Sequence, residues 1–445
     1  MAFNILIGRN ESDKKKFGEE GTILLGKSYV KMGREVSLSN PIYLDVIKAH
    51  VVFVVGKRGG GKSYSASVIA EGIVNLPDHI AKNISVILFD TMGVFWTMKY
   101  PNEKDADLLE QWGLKPKGLE KIQVFTPIGQ FESAKDKGIP TDKSFAIQAS
   151  ELTGEDWRLA FELPGSHPVS ILIEKTLGDF AEQKRDNYNL DDIIDACKAD
   201  VSFTQEVRNE AVNRFKTAKR WGLFSDQGTK IDVLVKGGSV SVLDLSAYAT
   251  SEGGWGVKAL VVGLICKRVF IERMISRQLE EVEAIKTGYS YFKLEEETDN
   301  IERKPLVWFI ADEAHELLPA EGKTAATDAL VAILREGRQP GLSLLLITQQ
   351  PGKIHSDVLT QSDIVLAHRI TAKRDVDALN SMMQSYLGDT LTASLNILPS
   401  ESGAAIILDD NSERLYPIRV RPKFSWHGGE APTAIKYKKS DNLGI

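Results

Sequence analysis

The sequence predicts an α/β fold, a mainly parallel sheet with helices on both faces, and three observations carry that prediction. Short, almost wholly apolar runs recur along the chain, as expected of strands buried on both sides. Helical patterns separate most of these runs. A glycine-rich loop stands between the first of them and a helix. The runs cover residues 51–55, 86–89, 240–243, 306–311, 342–347 and 364–367.

Taken in order, residues 1–50 hold β-like pieces at 22–25, 28–31 and 36–38, punctuated by Gly18, Gly21, Gly26 and Gly33. They read as a small β appendage. The α/β core is expected over 51–425. Residues 103–227 interrupt its alternation with polar, helix-patterned sequence. There Val207, Ala211, Phe215 and Ala218 share a face after a capping box at Ser202 and Gln205, so the stretch reads as a mostly helical insertion. The run 259–266 is too short to span a bilayer and meets Lys267 and Arg268, which makes it a buried helix. Residues 280–303 read as a helix end with a solvated loop, and 426–445 as a C-terminal tail.

Composition narrows the class. In 445 residues, 42% are hydrophobic and 26% charged, which supports a large buried core. The 55 basic and 61 acidic residues give a net charge of −6, which argues against a surface coated in positive charge for gripping nucleic acid. A ring that confines its basic residues to a central channel remains compatible with it. Cys197 and Cys266, the two cysteines, lie in no ligand-like spacing; a disulfide framework and a zinc site are disfavoured, and a reducing cytoplasm fits. The first residues reverse the order of a signal peptide, so a soluble, cytoplasmic protein with no membrane partner is expected.

The glycine-rich loop is Gly56-Lys57-Arg58-Gly59-Gly60-Gly61-Lys62-Ser63, a Walker A pattern after a strand and before the helix-like 64–76. Glycines let the chain curl so that backbone N–H groups face a phosphate, and the helix N-terminus adds its positive dipole end. ATP would meet Gly56, Arg58, Gly59, Gly60, Gly61, Lys62, Ser63 and Tyr64. Lys62 would reach the terminal phosphates, and the Ser63 hydroxyl would ligate Mg²⁺. A second match to the pattern, Gly21-Thr22-Ile23-Leu24-Leu25-Gly26-Lys27-Ser28, has an extended apolar interior and no helix after it. It reads as a β-hairpin.

The run 306–311 leads into Asp312-Glu313, as a Walker B strand does. Asp312 would hold Mg²⁺, and Glu313 would polarise the attacking water. The next strand ends in Thr348-Gln349-Gln350-Pro351, where Gln349 could bond both the γ-phosphate and the water; the bland alternative is a polar strand end before a proline turn. Asp90, closing the strand after the Walker A helix, should face the same crevice; support of the base or the metal shell and a plain helix-capping or turn role fit it equally. Arg338, beside Arg335 and Glu336, is the candidate arginine finger, against an ordinary surface salt bridge. These parts form a RecA-like P-loop NTPase core of the additional-strand type.

Together the motifs resemble the HerA branch of the HerA–FtsK superfamily of DNA-pumping ATPases. The carriers are the Walker A loop with an aromatic after Ser63, Phe89-Asp90, Val242-Leu243-Asp244-Leu245-Ser246, Ala311-Asp312-Glu313-Ala314-His315 and Arg335-Glu336-Gly337-Arg338. They continue through Thr348-Gln349-Gln350-Pro351, Leu398-Pro399, Gly403-Ala404-Ala405 and Pro417-Ile418-Arg419-Val420. The resemblance implies a hexameric ring, ATP hydrolysis between subunits with Arg338 acting in trans, double-stranded DNA in the pore, and a partner nuclease or other effector. Two departures stand out. The family's Asp-Pro-His-Gly-Glu-Tyr is here Asp90-Thr91-Met92-Gly93-Val94-Phe95, without the second carboxylate, and the N-terminal β segment is shorter than the family's barrel. A specialised member, such as one in phage defence, fits that shortening.

Three rival readings share parts of this pattern. Asp312-Glu313-Ala314-His315 spells DEAH, but a two-domain helicase of that type sets Walker B much nearer Walker A and then repeats its core. A coupling ATPase of conjugation or secretion systems shares the core motifs but is usually membrane-tethered. A nucleotide-gated ring scaffold would use ATP to assemble an effector. For DNA contact the basic candidates are Lys135, Lys137, Lys143 and Lys323, against a solvated lysine face.

Overall fold

Alternation along the central strands decides the layering. In β4 (Val51–Val55), Val52 and Val54 pack into one buried cluster while Phe53 and Val55 join another. The same split recurs in the neighbouring strands, so the sheet has a core on each face, as period-two side chains require. The structure is a computed structural model that describes residues 3–32, 35–250, 253–289, 304–370, 372–381, 391, 393–395, 398–399 and 401–429.

The strands in chain order are β1 (Ile5–Ile7), β2 (Thr22–Met32), β3 (Glu35–Asp45), β4, β5 (Ile84–Asp90), β6 (Ile122–Pro127) and β7 (Lys143–Phe145). They continue with β8 (Val240–Asp244), β9 (Leu306–Ala311), β10 (Leu342–Thr348), β11 (Ile364–His368), β12 (Ala404–Asp409) and β13 (Arg414–Val420). Among the described residues they form one sheet of thirteen strands, ordered β1-β3-β2-β13-β12-β11-β4-β10-β9-β5-β8-β6-β7. From β11 to β7 every pairing is parallel. From β11 outward through β12, β13, β2 and β3 every pairing is antiparallel, and β1 closes that edge parallel to β3. The fold is therefore α/β with a large, mostly parallel sheet. An extra strand, β10, stands between β4, which leads into the glycine-rich loop, and β9, which leads into Asp312-Glu313.

The N-terminal segment adds a wing to this sheet and also carries the short helix Glu11–Phe17. The three pieces read at 22–25, 28–31 and 36–38 fall on two long strands, because irregular register at Leu24/Gly26 and Lys27/Tyr29 absorbs the breaks. The second Walker A match lies on one strand of a hairpin rather than being a hairpin itself. A Cβ at Gly26 would fall 2.1 Å from the Arg419 carbonyl oxygen, so this glycine permits β13 to approach. Gly33 lies outside the described residues.

The 103–227 stretch is mostly helical, with the correction that it supplies two strands, β6 and the short edge strand β7, to the main sheet. Residues 122–127 form β6 in the main sheet, where Ile122, Val124 and Phe125 are buried against β8. Its mixed sequence, IQVFTP, hid a strand that only β8 completes. Helices Gly154–Ala160, Pro168–Glu182, Leu190–Ala199 and Gln205–Arg220 gather around Trp157, Phe161, Phe215, Trp221 and Phe224. The last helix starts from Thr204, whose side chain accepts the Val207 N–H; Ser202 bonds Asp200 instead, so the expected capping box does not form. The apolar run at 259–266 lies buried in the long helix Gly254–Tyr289, as expected. Residues 290–303 of the expected loop and 430–445 of the expected tail lie outside the described residues. Among the described residues no helix is long and apolar enough to cross a membrane.

Candidate functional site

Register brings the chemistry to one edge. Thr348 pairs with Val55, Leu346 with Ala311, and Phe89 with Ala311, so β4, β10, β9 and β5 end side by side. Polar residues that follow these carboxyl ends share a crevice beside the switch point between β4's two neighbours, where open α/β sheets bind ligands.

The loop after β4 curls through Gly59 (φ +73°) and Gly61 (φ +99°), positions where a side chain would be strained. A Cβ at Gly56 would lie 2.7 Å from His368 Cβ. The helix Lys62–Val74 then begins with no side-chain cap, leaving its first N–H groups for a ligand. Lys62 is buried, and its Nζ donates to the Lys57 carbonyl at 3.1 Å. Burial pushes its pKa down, against the pull of Asp312 and Glu313. Ser63 Oγ donates to Asp312 Oδ2 at 2.9 Å. Arg58 is exposed. Tyr64 turns to the C-terminal segment, its hydroxyl accepting the Lys423 N–H at 2.6 Å and its ring lying edge-on to His427.

Asp312 is buried, which pushes its pKa up, and its Oδ1 accepts the Glu313 N–H at 2.8 Å. Glu313 adopts a left-handed backbone, φ 51° and ψ 44°, uncommon for a residue with a side chain. Gln349 Nε2 donates to Glu313 Oε1 at 3.0 Å, while Oε2 is buried without a hydrogen-bond partner. Burial and the Asp312 charge raise the Glu313 pKa. Lys62, Ser63, Asp312, Glu313 and Gln349 are thus brought together by three strand ends.

Two predicted residues do not join that group. Asp90 closes β5, but its carboxylate is engaged by its own loop: Oδ1 accepts the N–H groups of Met92, Gly93 and Val94, and Oδ2 that of Phe95. This is the capping geometry, although burial pushes its pKa up to about 7. Arg338 is exposed and makes no ion pair among the described residues; its neighbour Arg335 pairs with Asp357. Arg338 precedes β10, whose seven residues span about 20 Å. It therefore sits at the opposite edge from its own phosphate loop. Among the basic candidates, Lys323 pairs with Asp328 at 2.8 Å and Lys135 lies over the Phe131 ring.

Two histidines escaped the sequence reading as parts of the site. His368, ending β11, donates from Nδ1 to the Ala404 carbonyl and accepts from Ser65 Oγ at 2.9 Å. Burial pushes its pKa down to about 4, so it backs the loop as a neutral ring. His315 bridges the Asp312-Glu313 turn to Thr348 and Gln350. The available signal was position: each is a polar residue at or just beyond the carboxyl end of an apolar run.

These residues can hold a nucleotide. The uncapped helix N-terminus, the glycine curl and Lys62 form a cradle suited to phosphate, and Ser63 beside Asp312 would hold a magnesium ion brought with it. Among the described residues no group of three or more His, Cys, Asp or Glu is placed to hold a metal ion.

A family model for the helicase HerA central domain matches residues 30–269. A probable DNA double-strand break repair helicase HerA of Methanocaldococcus jannaschii is 26% identical over 164 residues, 36% of this chain and 31% of that protein. The DNA double-strand break repair helicase HerA of Pyrococcus furiosus is 31% identical over 151 residues, 32% of this chain and 26% of that protein. Each match thus spans less than a third of the relative's length. Among solved structures, VirB4 of Thermoanaerobacter pseudethanolicus superposes with a TM-score of 0.52 at 13% identity, covering 91% of this chain and 97% of that one. That likeness concerns the fold.

Proposed function

The chain belongs to the helicase HerA central-domain family, and from that premise we propose that it is an ATP-hydrolysing motor, a hexameric ring that drives double-stranded DNA through its pore. The observation that carries the proposal is the convergence of Lys62, Ser63, Asp312, Glu313 and Gln349 at one sheet edge. ATP with magnesium supplies a phosphoanhydride whose terminal phosphate is open to in-line attack by water. Lys62 and the loop N–H groups would hold the phosphates, Ser63 and Asp312 would hold the metal, Glu313 would orient and polarise the water, and Gln349 would steady Glu313 and sense the γ-phosphate. Asp90 contributes by fixing the loop 91–95 that borders the crevice.

The position of Arg338 supports a site shared between subunits. It is exposed, and the length of a strand separates it from its own loop, so the phosphate it serves belongs to a neighbouring copy. We extend the proposal to an effector, a nuclease or another enzyme, working on the translocated DNA in end processing or phage defence. The repair role named for the two archaeal relatives supports the first of these.

Mass in solution, with and without ATP and duplex DNA, tests the ring; a hexamer is expected, and a monomer under every condition would contradict it. Mixing Arg338→Ala with Lys62→Ala subunits should partly restore ATP turnover, because an intact Lys62 site can then meet an intact Arg338. No recovery at any ratio would count against a shared site. Duplex-stimulated turnover should fall steeply with salt.

A further inference from the structure

We infer that His315 is a positioning residue for the base, holding the Glu313 carboxylate through the turn that carries Gln349. The inference rests on the hydrolytic reading above and names a part of it that the motifs do not assign.

Three consecutive residues after β10's apolar run grip the Asp312-Glu313 turn. Gln349 does so directly, at 3.0 Å from Glu313 Oε1. Thr348 and Gln350 do so through His315, whose Nδ1 lies 2.9 Å from Thr348 Oγ1 and whose Nε2 lies 3.0 Å from Gln350 Nε2. An amide nitrogen can only donate, so ring Nε2 accepts and the ring proton sits on Nδ1. That N–H points toward Thr348 Oγ1, with Glu313 Oε2 at 3.5 Å. Glu313 Oε2 is the buried oxygen without a hydrogen-bond partner. The partly exposed Glu316 carboxylate stands 3.4 Å from Nε2, on the outer side of the ring.

The ring is fixed in place. Its side chain is 5% exposed, and burial favours the neutral form. The backbone around it is tied across the two loops: His355 N–H donates to the Leu318 carbonyl, and Ala320 N–H to that of Lys353, both at 2.8 Å. Glu313, in contrast, holds a left-handed backbone that costs about 1–3 kcal/mol and persists only where neighbours over-determine it. His315 is one such neighbour. It limits the swing of the carboxylate and couples it to the strand end that senses the phosphate.

Substitution separates this role from packing. Asn places an amide near the Nδ1 position of histidine, and Gln places one near Nε2. ATP turnover of the full chain with duplex DNA should fall about 10- to 100-fold in kcat for His315→Ala, a loss typical of residues that orient functional groups. KM for ATP and affinity for a non-hydrolysable ATP analogue should stay near wild type. His315→Asn should recover most of kcat and His315→Gln should not. Wild-type kcat in His315→Ala, with Glu313→Gln inactive, would overturn the inference and leave the hydrolytic reading intact. Better recovery by Gln than by Asn would also overturn it, as would losses in both that track a lowered melting temperature. Full turnover in Glu313→Gln would remove the hydrolytic reading itself.

Discussion

The helix Lys62–Val74 touches two regions that treat buried charge in opposite ways. On its inner flank, Glu71 is fully buried and its carboxylate is saturated: Oε1 accepts from Arg421 Nη1 at 2.6 Å and the Phe424 N–H, and Oε2 from the Ser425 N–H and hydroxyl. Arg421 in turn donates to the carbonyls of Leu24, Val68 and Pro422. At its amino end, Lys62 bonds a single loop carbonyl, and Glu313 leaves one buried oxygen without a partner on a left-handed backbone. The first region fastens the antiparallel wing to the core. The second keeps its polar groups under-satisfied, which costs stability and leaves them available for a ligand.

Removing one partner in the fastening region has the largest expected effect. Arg421→Met strands a buried carboxylate and should cost about 3–5 kcal/mol by denaturant unfolding. A cost near zero would erase the contrast.

A second fastener should show as a pH dependence. At the amino edge of the strands, His50 lies between Asp363 at 2.7 Å and Asp45 at 3.4 Å, and Asp45 also pairs with Arg9. Burial opposes its charge, but the bonds to Asp363 and Asp45 prevail and raise its pKa to about 9. The folded-state pKa lies above the ordinary histidine value of about 6.5, so the stabilisation is fully present below about pH 6.5 and is lost as pH rises through about 9. Wild type should lose on the order of a few kcal/mol across that window relative to His50→Gln. Parallel stability curves for the two proteins would remove His50 as a fastener.

Site variants should behave in the opposite sense. The Glu313 pKa is raised by burial and by Asp312, so its charge opposes folding at neutral pH. Glu313→Gln should leave stability unchanged or raise it by up to about 1 kcal/mol. A marked loss would mean the carboxylate fastens rather than works. The smallest effect is expected at the Arg335–Asp357 pair, whose arginine is exposed and where Arg335→Ala should cost less than about 1 kcal/mol.

The parallel core was legible because strands buried on both faces leave continuous apolar runs, and the phosphate loop because its glycines and following helix are local in sequence. The site's nearest contacts followed from strand ends: Asp312, Glu313 and Gln349 each come within two residues of the end of a run. What stayed hidden depends on contacts far apart in the chain. Strand β6 has too mixed a sequence to stand out without β8 beside it. The Glu71–Arg421 pair joins residues 350 positions apart. The Asp90 carboxylate could be assigned to its loop only once four N–H groups were seen to converge on it. His315 was visible as a letter in a motif, but its link to Thr348 and Gln350 depends on β10 lying beside β9.

The most direct test of the claim that the under-satisfied edge is the working one is paired measurement of ATP binding and ATP turnover on Glu313→Gln in the full chain. Binding retained with turnover reduced at least about 100-fold is the predicted result. Turnover at the wild-type rate would contradict the account.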